Sequence, residues 1–173
     1  MGRIGIILPS GIATSFYTQD FFSAIIENKE LVSLYDFENT KKLFPDVAPI
    51  VKFCLLTLAG RQVNSDCFEF AFFLQSIDEL FEFNRTFVLT SDEIHLINPN
   101  TNNSPVFRSK FDANLIKKIY RNSNILVNEI SRDNPWDIEF SSMFHMTNDS
   151  HLFSTKEDLE AEGYTLAGNI FIN

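Results

Sequence analysis

The stretch SLYDFENTKKLFPDVAPIVKFCLLTL, residues 33–58, decides the fold. Its two apolar ends read as strands. Leu31–Phe37 is a short apolar run, and Ile50–Leu58 is a longer one closed by Gly60. The loop between them, Glu38–Pro49, has no helical period. A hairpin-like antiparallel return is therefore permitted, though the pattern does not demand it. Upstream, RIGIILPSG contains a buried-type strand, Ile4–Leu8, that stops at Pro-Ser-Gly. FYTQDFFSAIIEN, residues 16–28, then puts Tyr17, Phe21, Ala24 and Ile25 at helical spacing, with Phe22 and Ile26 widening the stripe. That is an amphipathic helix of about three turns. Strand, helix and strand over this length make a βαβ unit, with parallel strands and a right-handed crossover.

Downstream, the pattern is mixed α/β. CFEFAFFL, residues 67–74, reads as a strand. Capping signatures at Ser76/Glu79, Thr90/Glu93, Ser109/Asp112 and Ser154/Glu157 mark helix starts. Phe111, Leu115 and Ile119 support the helix after Ser109, which is expected to be the longest of the four. NPNTNNSP, residues 98–105, is a turn-rich loop. The last helix stops near Gly163, and TLAGNIFI, residues 165–172, reads as a final strand. The chain opens almost directly on one strand and closes on another, so it is expected to be a piece of a longer polypeptide.

The 173 residues suffice for one domain with a sizeable core, or a domain and a half. Apolar residues make up 45% and mean hydropathy is −0.04, which is the composition of a globular chain. The 19 Phe are spread along the sequence and point to many core contacts. A net charge of −9 argues against a free-standing nucleic-acid binder but not against one part of a larger DNA enzyme. Cys54 and Cys67 fit buried cytosolic thiols, with a disulfide as the alternative. No run is long enough to span a bilayer and the N-terminus does not read as a signal peptide, so the location is read as cytoplasmic.

Motifs for catalysis are missing. GxSxG, GxxxxGK[ST], HExxH and CxxC do not occur. His145 and His151 are six apart, a poor spacing for one helical face, and no Cys or third His completes a metal site. In MTNDSHLF, the residues Asn148, Asp149 and Ser150 favour a cap or turn. The functional alternative has Asn148 and Asp149 touching DNA or another domain. The sequons NRT (84–86) and NDS (148–150) are chance matches in a cytosolic chain. The feature with most chemical content is Phe44, an aromatic in a Pro-rich loop. From sequence it is a lid folded onto the core. The sharper reading is a stacking platform for a base taken out of a helix.

Several long segments carry a resemblance in retained order: GRIGIILPSGIAT, SLYDFENTKKLFPDVAPIVKFCLLTL, INPNTNNSPVFRSKFDANLIKKIY, NPWDIEFSSMFHMTNDSHLF and AEGYTLAGNIF. Together they resemble the adenine-specific DNA methylases of type II restriction–modification systems, including chains that fuse methylase and restriction activities. The resemblance implies methyl transfer from S-adenosylmethionine to the exocyclic N6 amine of adenine in double-stranded DNA. It implies the C-terminal half of a doubly wound α/β sheet, with Ile4–Leu8 as the fifth strand, Leu31–Phe37 as the sixth and Ile50–Leu58 as an antiparallel seventh between them. Residues 1–60 would then be catalytic-domain sheet, and residues 61–173 a mixed α+β extension leading towards target recognition. Phe44 matches the family's aromatic that stacks on the flipped adenine.

Two family features are absent from the sequence: the Asn-Pro-Pro-Tyr/Phe motif and the glycine-rich cofactor loop. NPN (98–100) and NPW (134–136) have one proline each and follow the third strand. Both features would belong to an upstream methyltransferase half. The chain alone is thus expected to hold no catalytic residue and to bind neither S-adenosylmethionine nor a metal. The alternative is a non-enzymatic scaffold that contacts the recognition domain. A nuclease piece would want a carboxylate–lysine cluster, and none is convincing here. A half-sheet also leaves an edge and an apolar face bare, which the chain is expected to hide by forming a homodimer or by rearranging its N-terminal part.

Overall fold

The structure is a computed structural model that describes residues 2–60, 63 and 65–173. It is mixed α/β and divides into two compact units, Met1–Trp136 and Asp137–Asn173. The first unit is built on a mixed sheet of five strands: β1 (Arg3–Pro9), β2 (Leu31–Glu38), β3 (Lys52–Ala59), β4 (Cys67–Leu74) and β5 (Phe87–Thr90). Their order across the sheet is β1-β3-β2-β4-β5. Strand β3 is antiparallel to both β1 and β2, so the permitted antiparallel return occurs, and β1 and β2 run in the same direction. Strand β4 is parallel to β2, and β5 returns antiparallel to β4. The sheet therefore continues across residue 60 without a break in architecture.

One face of the sheet carries the main core. Leu34, Cys54, Leu56, Phe68, Phe70 and Phe72 pack there against Ala13 of α1 (Gly11–Thr14), and against Phe22, Ile25 and Ile26 of α2 (Gln19–Glu27). Ile94 of α3 (Ser91–Ile97) and Ala113 of α4 (Lys110–Asn122) complete the layer. Phe70 stacks on Phe72 and Phe87 with centroids 6.1 and 5.9 Å apart, and Phe107 meets the edge of Phe87. The opposite face holds a smaller cluster, Phe37, Ala71 and Leu74, with Tyr35, Phe53, Leu55 and Leu80 around it.

Several expected elements differ in detail. The helix expected from residue 16 is a 3₁₀ turn, Phe16–Thr18, followed by α2. Its buried stripe is Phe22, Ile25 and Ile26, while Tyr17, Phe21 and Ala24 face outward. The stripe in α4 is likewise reversed. Phe111, Leu115 and Ile119 are exposed, and Ala113, Ile116 and Tyr120 turn inward. At 13 residues, α4 is the longest described helix. Thr90 forms a full capping box with Glu93, and Ser109 caps α4 through the Asp112 amide. Ser76 caps nothing, because only a 3₁₀ turn, Asp78–Phe81, follows. Cys67 is exposed at the start of β4, against the expectation of two buried thiols, and both cysteines are free.

Strand β1 is also a correction. Ile4, Ile6 and Ile7 are 58, 39 and 56% exposed, so this is not a buried-type strand. It lies at the sheet edge, and among the described residues no further strand pairs with it. Strand β1 pairs with β3 from Arg3 to Pro9.

Tyr35 in β2 offers a check on this packing. Its hydroxyl donates to Glu69 of β4. Burial first, and that hydrogen bond second, push its ionisation up to about 12 from the ordinary 10.0. The fold thus favours the neutral phenol, and the linked stability, present below pH 10.0, is lost as pH rises towards about 12. An alkaline titration followed by tyrosinate absorbance is expected to end in a step with its midpoint at about 12. Tyr35→Phe removes that step; its persistence would mean that the step belongs to another tyrosine.

The second unit holds a 3₁₀ turn at Ser150–Leu152, then α5 (Lys156–Ala161), β6 (Thr165–Ala167) and β7 (Ile170–Ile172). The cap of α5 is Thr155 with Asp158, one residue beyond the expected Ser154/Glu157 pair. TLAGNIFI is a hairpin rather than a single strand. Ala167 pairs with Ile170 across Gly168 and Asn169, and Gly168 has φ +68°, which glycine adopts without strain. Among the described residues no helix is long and apolar enough to cross a membrane.

Candidate functional site

Strands β1, β2 and β4 share a direction, so their carboxyl ends lie on one edge of the sheet. The register aligns them: Pro9 and Phe37 both face Phe53 of β3, and Leu74 faces Phe37. In α/β sheets ligands bind outside such carboxyl ends, where loops and helix starts offer free polar groups. The loop carrying Phe44 leaves β2 at this edge and re-enters as β3.

Asn39 fixes that loop. Its side chain is fully buried and makes three backbone hydrogen bonds. The amide nitrogen donates to the carbonyls of Phe44 and Val47 at 3.0 and 2.9 Å. The amide oxygen accepts the Phe44 N–H at 2.9 Å. Asn39 N–H also donates to the Val51 carbonyl at 3.1 Å, which closes the loop at its base. Lys42 adopts the left-handed conformation, φ +54°, at the turn before Phe44. An Asx residue directly after a strand is the available sequence signal for such a knot.

The Phe44 ring packs edge-to-face on Phe53 at 4.9 Å, and Phe53 stacks on buried Phe37 at 5.4 Å. Phe44 nevertheless keeps 40% of its surface exposed. It is both anchored to the smaller cluster and open to solvent.

On the other side of the edge is an arrangement with no mark in the sequence. Phe73, near the end of β4, has φ +58°, a conformation that costs an aromatic residue about 1–3 kcal/mol. It coincides with a bulge in the β2–β4 pairing. Two groups hold it. Asp36 of β2, 4% exposed, accepts the Phe73 N–H at 3.4 Å and the Ser10 hydroxyl. Arg85 donates to the carbonyls of Phe72 and Phe73 at 3.2 and 3.0 Å, and to the Arg108 carbonyl at 2.7 Å. Burial pushes the Asp36 carboxyl above its ordinary 3.8, against the hydrogen bonds it accepts.

Two cations lie over the Phe73 ring. Lys52 Nζ is 5.1 Å from the centroid and the Arg108 guanidinium carbon is 4.8 Å from it. Lys52 also pairs with Glu38 at 2.9 Å, and this bond holds Glu38 below the usual carboxylate range. The edge therefore offers an open aromatic face and basic groups. The Ser10 hydroxyl is committed to Asp36, with no histidine in the arrangement to activate it. These groups are suited to binding a planar, anionic molecule rather than to proton transfer.

A shallow cavity of about 520 Å³ lies elsewhere in the first unit, lined by Thr14, Asn98, Thr101, Asn103 and Tyr120 among others. None of its lining residues is an acid, a base or a thiol.

In the second unit, Asp149 accepts the His145 N–H at 2.7 Å, and His145 Nδ1 accepts the amides of Thr147 and Asn148 at 3.3 Å. This is a self-contained turn, the local reading of MTNDSH. Asn148 is exposed on it, and the Asp149 carboxylate is occupied within it. Among the described residues no cluster of three or more His, Cys, Asp or Glu could hold a metal.

Comparison with protein families, with curated proteins and with solved structures finds no match to this chain.

Proposed function

We propose that this chain is the target-adenine side of a site-specific DNA adenine-N6 methyltransferase of a restriction–modification system, inactive alone. The observation that carries the reading is Phe44, anchored but 40% exposed, in the loop that enters an antiparallel strand placed between two parallel ones. An aromatic face at such an edge holds an extruded base with little dependence on sequence. In this reading β1, β2 and β3 correspond to the fifth, sixth and seventh strands of the methylase sheet. The bare edge of β1 is where the upstream half would continue it.

S-adenosylmethionine supplies the methyl group in this reading, but the residues here do not fit it. The described carboxyl edge contains no glycine-rich loop after a strand, and its basic groups do not match a sulfonium ligand. Donor binding and amine polarisation are therefore assigned to the upstream half, and no step is routed through this chain beyond holding the base. Asn148 and Asp149 remain candidates for a DNA or interdomain contact. The second reading, a non-enzymatic scaffold, is favoured by the outward apolar stripe Phe111, Leu115 and Ile119 of α4.

The test is Phe44→Ala in the whole parent enzyme, with methylation followed on a duplex that keeps adenine at the target, and base extrusion followed separately by the fluorescence of a duplex with 2-aminopurine there. Loss of one stacking partner is expected to cost about 1–3 kcal/mol of base binding, or about 5- to 150-fold in methylation. Phe44→Tyr should retain most of the activity. Full methylation by Phe44→Ala would remove the stacking role.

A further inference from the structure

We infer that Arg108, stacked on Phe73 and flanked by Lys52, is a clamp for a backbone phosphate of the DNA strand that delivers its base to Phe44. The inference rests on the DNA reading proposed above. It starts from how the guanidinium is used. The Arg108 guanidinium carbon lies over the Phe73 ring, 4.8 Å from its centroid. Among the described residues its N–H groups make no hydrogen bond or ion pair. The ring contact therefore seats the guanidinium while its N–H groups stay free to take a phosphate with two parallel hydrogen bonds.

Its neighbours make the site a cationic one. Lys52 is neutralised by Glu38, and Asp36 is buried beneath the strand ends, so Arg108 is the surplus charge. Lys42, exposed two residues before Phe44, adds another cation without an ion pair among the described residues. These groups gather at one edge of a chain whose net charge is −9, where an unselected surface would be acidic.

The backbone beneath is also unusually constrained. The left-handed Phe73 is held by Asp36 on its N–H and by Arg85 on its carbonyl, and the same Arg85 binds the Arg108 carbonyl. A single guanidinium thus ties the ring and the cation that stacks on it. Strain kept at a surface position in this way is expected where a ligand needs a side chain in a fixed place. Phe44 and Arg108 share the sheet edge, one offering a ring to a base and the other an N–H fork to a phosphate. A polynucleotide is the ligand class that supplies both.

The experiment measures binding of the whole parent enzyme to a fluorescein-labelled duplex oligodeoxynucleotide of random sequence, as a function of NaCl. Each neutralised phosphate contributes about 0.9 to the slope of log K against log salt. Arg108→Gln is expected to flatten that slope by about 0.9. Arg108→Lys keeps the charge and should keep the slope, which separates loss of charge from a disturbed fold. Phe44→Ala should weaken base capture and leave the slope unchanged. An unaltered slope in Arg108→Gln overturns the clamp, as does an equal flattening in Arg108→Lys. A flattened slope in Arg108→Gln together with full methylation by Phe44→Ala would keep the clamp and remove the stacking role. Absence of any salt-dependent binding by the unaltered protein overturns both.

Discussion

Phe70→Ala is expected to lower the unfolding free energy by about 3–5 kcal/mol, a large part of what a domain of this size has. Phe70 is fully buried in β4 and lies opposite Leu34 of β2 and Phe87 of β5. Its ring stacks on Phe72 and Phe87. Truncation therefore removes the burial of one large side chain and leaves two aromatic neighbours facing a void that strands on both sides prevent from closing. Urea unfolding should show a lower midpoint at unchanged slope. Phe81→Ala, at a position 84% exposed, should fall within about 0.5 kcal/mol of the parent. A loss below about 1 kcal/mol for Phe70→Ala would mean that β4 is not the centre of the core.

Arg85→Ala is the second large effect. Arg85 is mostly buried and ties four groups: the carbonyls of Phe72, Phe73 and Arg108, and the Glu79 carboxylate at 3.2 Å. Lys41 at 3.4 Å and the Gln75 N–H at 3.3 Å also reach Glu79, so the carboxylate keeps both partners when Arg85 is removed. The Arg108 carbonyl is at an exposed position, where water can replace the guanidinium, but the bonds to the Phe72 and Phe73 carbonyls are partly buried, and hydrogen bonds from a charged donor are worth about 1.5–3 kcal/mol. Unfolding is expected to be easier by about that amount. Arg85→Lys should recover only part of it, because one ammonium cannot span the same acceptors as the guanidinium fork. If Arg85→Lys is as stable as the parent, the fork is not what holds the Phe73 bulge.

The strands were legible because their signals are local. CFEFAFFL is a strand over the residues that sequence predicts, since seven apolar and aromatic positions interrupted only by Glu69 and bounded by polar ones leave little choice. The capping box at Thr90 was legible for the same reason: both partners lie within one turn. The stripe of α4 was not. Phe111, Leu115 and Ile119 form one apolar row and Ala113, Ile116 and Tyr120 another. Periodicity reveals that a helix has such rows but not which of them the sheet will cover. The two-residue turn at Gly168 split an expected strand, because a short apolar run does not record where it reverses.

At the candidate edge the sequence singled out Phe44 alone, as a lid on the core or as a stacking platform. Its contact with Phe53 fits the lid reading, its 40% exposure was not legible in the loop, and the stacking role is implied by the methylase resemblance alone. Asn39 looked like an ordinary loop residue. Phe73 looked like one more strand phenylalanine, since a left-handed aromatic has no compositional mark. Lys52 and Arg108 are 56 residues apart in sequence, and only the fold places both over one ring.

The Asn39 knot has a consequence for how a ligand would meet this edge. A free loop aromatic must lose backbone and rotamer freedom at the moment of contact, at about 1–2 kcal/mol for each residue ordered. Here the chain from Asn39 to Val47 has already lost that freedom, because three hydrogen bonds to one buried amide form when the protein folds. The cost of ordering is carried by the hydrophobic core and not by the complex. Whatever planar group arrives finds the ring already in place, so the full stacking energy is available to hold it and the approach is not gated by closure of the loop.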